Sequence, residues 1–204
     1  MTFTTKTVKN EEKPRTASPY IGYGVQELKI NSFAVEKAST GSKRVVFHVE
    51  GRPVTSENFQ GVDGAKGPVG RIRTIYLKSD DAKKEFVSNL AKIADAMGVR
   101  DRFDEIEADN FDDYLDKLAE NGGSIFKGNF ARFVVATTRQ ITTIDGKDKI
   151  KDRFSFPRYN FVESVEKDNG LTFDKTKAYH YKEERMEAPD MEAVAVTGKE
   201  DLPF

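Results

Sequence analysis

The chain of 204 residues has no cysteine and only two histidines, His48 and His180. The first absence removes disulfides, thiolate metal centres and cysteine nucleophiles together. The second leaves too little imidazole for a three-histidine zinc centre, and neither histidine stands in an arrangement that reads as a Ser-His-Asp relay. No stretch approaches the roughly 20 apolar residues that a membrane-crossing helix needs. The residues after Met1 form no apolar leader core. The loop Gly61–Gly67 lacks the Gly-Lys-Ser/Thr ending of a phosphate loop, and Pro68 stands where its helix would begin. The acids Asp101, Asp104, Glu105, Glu107, Asp109, Asp112, Asp113 and Asp116 lack the glycine and spacing of a calcium loop. These absences lead us to expect a cytoplasmic protein that is not an enzyme, with no cofactor, no metal and no membrane partner.

Charge is the first positive signal. The net charge of -1 conceals strong segregation. Residues 95–120 hold three Lys/Arg against ten Asp/Glu, and residues 180–204 hold three against seven. The rest of the chain is left with a surplus of ten positive charges. A basic body beside two acidic segments fits an anionic partner, with charge shielding inside the same chain.

Residues 1–18 are rich in Thr and Lys without periodicity, and we expect a flexible arm there. Gly24–Val35 reads as a strand with Leu28 and Ile30 on one face and Lys29, Asn31 and Phe33 on the other. Lys43–Glu50 follows with Val45, Phe47 and Val49 inward, then a long Gly/Pro-rich loop to Gly70, then a third strand over Arg71–Lys78. Ser79 caps a helix whose stripe is Phe86, Leu90, Ile93 and Met97, stopped by Gly98. A second helix around Phe111–Leu118 is expected to end at Asn121-Gly-Gly123. Strands return over Ile125–Arg139 and Arg153–Val165, with Asp145-Gly146 as a hairpin turn. From 183 to 204 the chain reads as a disordered acidic tail. Three strands, a helical insertion over 79–123 and two more strands, without βαβ alternation, describe a mainly β body over 19–182. We expect a five-stranded OB-fold-like Greek-key barrel, with a β-sandwich carrying the same insertion as the alternative.

The late strands interleave Phe126, Phe130, Phe133, Phe154, Phe156, Tyr159 and Phe161 with Lys127, Arg132, Arg139, Arg153 and Arg158. Rings beside cations suit single-stranded nucleic acid, since bases stack for roughly 1–3 kcal/mol each while Lys and Arg meet the phosphates. Arg71 and Arg73 alternate on one strand face beside a row from Lys29 and Phe33. The candidate contacts are Lys29, Phe33, Arg71, Arg73, Tyr76, Phe130, Arg132, Phe154, Phe156 and Arg158. The Gly61–Gly67 segment reads as a hairpin able to close over a bound strand.

The chain ends Glu200-Asp201-Leu202-Pro203-Phe204 after its acidic tail. This terminus resembles that of the single-stranded DNA-binding proteins of bacteria and phages, and the long insertion looks like a divergent phage version. The resemblance implies non-sequence-specific coating of single-stranded DNA in replication, recombination and repair, possible homo-oligomers, and no cofactor. It also implies that Glu200, Asp201, Leu202, Pro203 and Phe204 dock replication or recombination proteins. From another class, the alternative is a structural virion or assembly protein built on a β-barrel or sandwich.

Overall fold

A computed structural model describes residues 21–51, 69–144, 146–167 and 170–186. The expected N-terminal arm, the Gly61–Gly67 hairpin and the terminal motif Glu200–Phe204 lie outside the described residues. Three strands come first: β1 (Gly24–Lys37), β2 (Lys43–Gly51) and β3 (Val69–Arg73). The helices α1 (Asp80–Ala96), α2 (Arg100–Asp104) and α3 (Phe111–Phe126) follow. Then come β4 (Ala131–Ile144), β5 (Lys147–Ser155), β6 (Val162–Ser164) and β7 (Tyr181–Met186).

The fold is mainly β, and its sheet closes on itself. Hydrogen bonding runs β1-β2-β3-β5-β4, and β4 pairs back onto β1. Every contact in that five-strand ring is antiparallel except β3 with β5. The three helices intervene between the third and fourth strands, as the sequence order requires. No helix among the described residues is long and apolar enough to cross a membrane.

The core forms where inward strand residues meet the helices. Leu28, Ile30, Val45, Phe47, Val49, Ile72 and Phe133 are buried against Phe86, Leu90, Ile93, Leu115, Leu118 and Phe126. α1 begins where expected, because the Ser79 hydroxyl accepts the Ala82 N–H at 3.2 Å. It stops where expected, with Gly98 at φ +67 just beyond the cap.

Phe33 departs from the simple alternation. The register shifts by one residue between Ile30 and Ser32, so Asn31 is a bulge and Phe33 returns to the side of Leu28 and Ile30. There it packs on Phe47 and Phe126 with ring centroids 5.1 and 5.5 Å away. It is a core residue and presents no surface to a nucleic acid.

Gly122 and Gly123 do not end α3, which continues to Phe126. Their missing side chains let the helix lie directly on the bulge. A Cβ on Gly122 would meet the Phe33 ring at 2.6 Å, and one on Gly123 would meet the Asn31 carbonyl oxygen at 2.7 Å. Alanine gains about 1 kcal/mol in helix propensity, but forcing the backbones apart costs about 1–3 kcal/mol. Gly123→Ala is therefore expected to lower the urea midpoint, which an unfolding titration against the parent will read.

The late part of the chain also differs from the alternation. Arg153–Val165 divides into β5 and β6, separated by Phe156–Phe161. Residues 183–186 of the expected acidic tail are a strand instead, because Tyr181–Met186 forms β7 parallel to β4. The reason is an unfilled edge. β1 covers only Ala131–Val135 of the 14-residue β4, and the exposed backbone of Thr137–Thr142 beyond it takes β7 as a partner.

Candidate nucleic-acid interface

Pleat and register together decide which cations reach solvent. On β3, Ile72 is fully buried, so its neighbours Arg71 and Arg73 point outward. On the pleat opposite Ile72, rows run Ser32–His48–Arg71 and Ala34–Val46–Arg73 across the first three strands, the second passing over Val46, which is buried. Ile72 pairs in parallel with Phe154, so Arg153 and Ser155 share the outward side with the two arginines. From Arg153 the row continues through Thr138 of β4 to Lys182 of β7.

β5 extends this surface. Lys147, Lys149, Lys151 and Arg153 occupy alternate positions, all exposed, on the same face as Arg71. Successive members stand two residues apart, ~6.7 Å along the strand. The acids between them turn to the opposite face and are engaged there. Asp152 accepts from Arg139 at 2.9 and 3.1 Å, and Asp148 accepts from the Thr143 hydroxyl at 2.7 Å. Among the described residues, none of the four β5 cations forms an ion pair. Lys182 does, with Glu184 at 2.7 Å.

This β5 row was missed in the list of candidate contacts, although its signal is plain. Lys147-Asp-Lys-Ile-Lys-Asp-Arg153 alternates cation with another residue type at the period of a strand. The rings are the more conspicuous feature of the sequence, and most of the described ones pack inward.

The other candidate residues divide into three groups. Arg71 and Arg73 lie on the outward face, and no described carboxylate pairs with Arg71. Arg73 Nε is 3.6 Å from Glu36, beyond hydrogen-bond reach. Tyr76 stands just past β3 under the Arg44 guanidinium, 5.0 Å from its ring centre. Arg158 lies beyond β5, paired with Glu85 of α1 at 3.0 Å and held over the Tyr159 ring.

Lys29 and Phe130 meet at the other end of the outward side, with the ammonium 5.8 Å from the ring centre. Lys29 is already neutralised by Glu50 at 3.2 Å. The Asn31 hydrogen bond, joined by the Lys29 ammonium, holds that carboxyl below the usual glutamate range despite some burial.

Phe154, Phe156 and Arg132 correct the sequence reading. Phe154 is on the inward side with Ile72, half-buried against the core. Phe156 sits among Phe47, Phe133 and Phe161 at 5.1–5.3 Å. The closed sheet needs these rings inside, so it is Arg153 that faces outward. Arg132 bonds Glu163 at 2.8 Å, lies 3.6 Å from Glu27, and donates to the Lys167 carbonyl. Those partners satisfy the guanidinium within the chain.

His48 reports the field of this surface. Burial pushes its pKa below the ordinary 6.5, and the positive charges of Arg71 and Arg73 push in the same direction. As pH falls through 6.5 the unfolded chain takes up this proton before the folded one does. His48 therefore subtracts stability from about pH 6.5 downward.

Four acids of the acidic segment are ion-paired within the chain. Asp112 pairs with Lys43 at 2.9 Å, Asp113 with Lys117, and Arg100 with both Asp95 and Asp104. Among the described residues, no three His, Asp or Glu side chains are placed to share a metal ion. Comparison with known proteins finds no matching family model, no matching curated protein and no matching solved structure.

Proposed function

We propose that the protein binds single-stranded DNA without sequence preference along the outward face of β2, β3 and β5. We read the closed five-strand sheet as an OB-like Greek-key barrel, a scaffold whose outer strand face suits an oligonucleotide. The supporting observation is the row of cations running from Arg71 through Arg153 to Lys147, none of them ion-paired among the described residues, with Arg73 beside it, 3.6 Å from Glu36. A strand edge needs only scattered charge for solubility. A continuous row with its acids turned away instead offers regularly spaced sites for phosphates. The role in replication, recombination or repair, and recruitment of partners through Glu200–Phe204, rest on the terminal motif.

The test is a fluorescence-anisotropy titration with labelled oligo-dT, set against duplex of equal length at several salt concentrations. Tighter binding to oligo-dT, with log affinity falling linearly in log salt, is the expected result. Equal or weaker binding than to duplex would remove the proposal, as would no binding at about 50 mM salt.

His48 supplies an independent readout. Phosphates laid along Arg71 and Arg73 replace positive surroundings with negative ones, so the His48 pKa is expected to rise in the complex. Affinity should then increase as pH falls between the free and bound pKa values. NMR titration of the two imidazoles reads this directly. His180, buried against Phe173 and on neither arginine row, should move less than His48.

A further inference from the structure

The outward face offers cations but few rings, because Phe33, Phe154 and Phe156 are turned inward. The strand proposed above therefore needs somewhere to place its bases. A cavity of about 500 Å³ lies between α1 and the end of the barrel. Its floor is Phe47, Phe86, Leu90, Ile93, Phe156 and Phe161. Ile75, Tyr179 and Arg158 stand exposed around it, and Arg73 belongs to its lining.

Position decides what this cavity is suited to receive. The chain leaving Arg71 and Arg73 becomes the Thr74–Leu77 wall of the cavity, so phosphates tracked along β3 arrive at its opening. Ile75, 72% exposed, is the most exposed of the large hydrophobic side chains among the described residues and stands at that wall. Tyr179, 62% exposed, offers a ring beside it. A few polar groups, those of Ser79, Asn89 and Ser155, are set into the apolar lining. A flat apolar face with a polar edge is the shape of a nucleobase, and this mixture of lining suits it.

Charge points the same way. Arg73 lines the cavity with its side chain 30% exposed, its Nε buried beside Glu36, and its guanidinium adds positive charge at the cavity's edge. Of the two acids lining the cavity, Asp81 and Glu85, the second is engaged by Arg158. An apolar peptide would meet the floor equally well but would leave Arg73 without a new partner.

We propose that this cavity receives unstacked bases from the strand whose phosphates follow Arg71 and Arg73. The proposal rests on the reading of the outward face given above, and it adds a base site at the barrel's end, walled on one side by α1. The strand's bases leave the solvent there, and the cations outside hold its backbone.

Two probes separate the site from the surface: oligo-dT, and a base-free deoxyribose-phosphate oligomer of the same length. The parent protein is expected to bind oligo-dT roughly tenfold or more tightly than the base-free oligomer. Ala82→Trp, which fills the cavity from α1, is expected to bring that ratio close to one while leaving base-free affinity unchanged. An oligo-dT carrying 5-iodouracil should crosslink to Tyr179 in the parent and not in the variant. Should Ala82→Trp fail to fold by melting, Asn89→Trp from the same helix takes its place.

A ratio that survives filling of the cavity overturns the assignment and leaves the phosphate surface standing. Loss of self-association with an unchanged ratio overturns it too, and gives the cavity to a second copy of the chain. If the parent binds neither probe with a salt dependence, the reading of the outward face fails first, and the base site fails with it.

Discussion

Replacing Lys147, Lys149 and Lys151 together by Glu is expected to lower affinity for oligo-dT by about two orders of magnitude or more at low salt. Each lost phosphate contact on a single strand removes ~0.7 from the slope of log affinity against log salt. Three losses should therefore flatten the slope by about 2. The melting temperature should hardly change, because all three side chains are exposed and none pairs with a described carboxylate. The face matters more than the net charge. Asp148→Lys adds a cation one residue away on the opposite side of β5, and it should change affinity little. A slope unaltered in the triple variant, or altered equally by Asp148→Lys, would separate this row from the phosphates.

In the sequence that row is less conspicuous than the rings. Fifteen Phe and seven Tyr in one chain invite a search for stacking surfaces. A closed sheet capped by helices must first fill its interior. The alternation of Phe154 and Phe156 against Arg153 was legible, but alternation alone does not say which face is inside. The partner strand settles it, through Ile72, fully buried beside Phe154.

Other parts of the fold were plain in the chain because their causes are local. The Ser79 cap, the Phe86–Met97 stripe and the stop at Gly98 concern one helix and its own hydrogen bonds. Val45, Phe47 and Val49 point inward as their period requires. Features caused by distant residues were not legible. The bulge at Asn31 reverses the side taken by Phe33, and it lies under α3, some 90 residues later in the chain. Gly122-Gly123 looks like a helix stop until the backbone of Asn31 is found against it. β7 is charged and polar, and only the vacant edge of β4 explains why it is a strand.

Arg132 and Arg71 make the same distinction measurable, since the sequence presents both as strand arginines near aromatics. The Arg132 side chain is 16% exposed, and its acids Glu163 and Glu27 are 13% and 19% exposed. Removing the guanidinium leaves two carboxylates close together with little water to screen them. Arg132→Ala is therefore expected to cost about 2–4 kcal/mol, somewhat under the value for a fully buried pair. For a chain of this size that is a fall of about 5–15 °C in Tm. Affinity for oligo-dT, measured well below the new Tm, should stay near the parent value. Adding Glu163→Gln should recover part of the loss, because it removes one uncompensated charge, and the double-mutant cycle should report strong coupling. Arg71→Ala should do the reverse. Its exposed side chain has no described acid to abandon, so stability should shift by less than about 0.5 kcal/mol while binding and salt slope both fall. If Arg132→Ala weakens binding at unchanged Tm, the guanidinium reaches the DNA despite its partners within the chain, and the outward cation row is no longer sufficient to describe the surface.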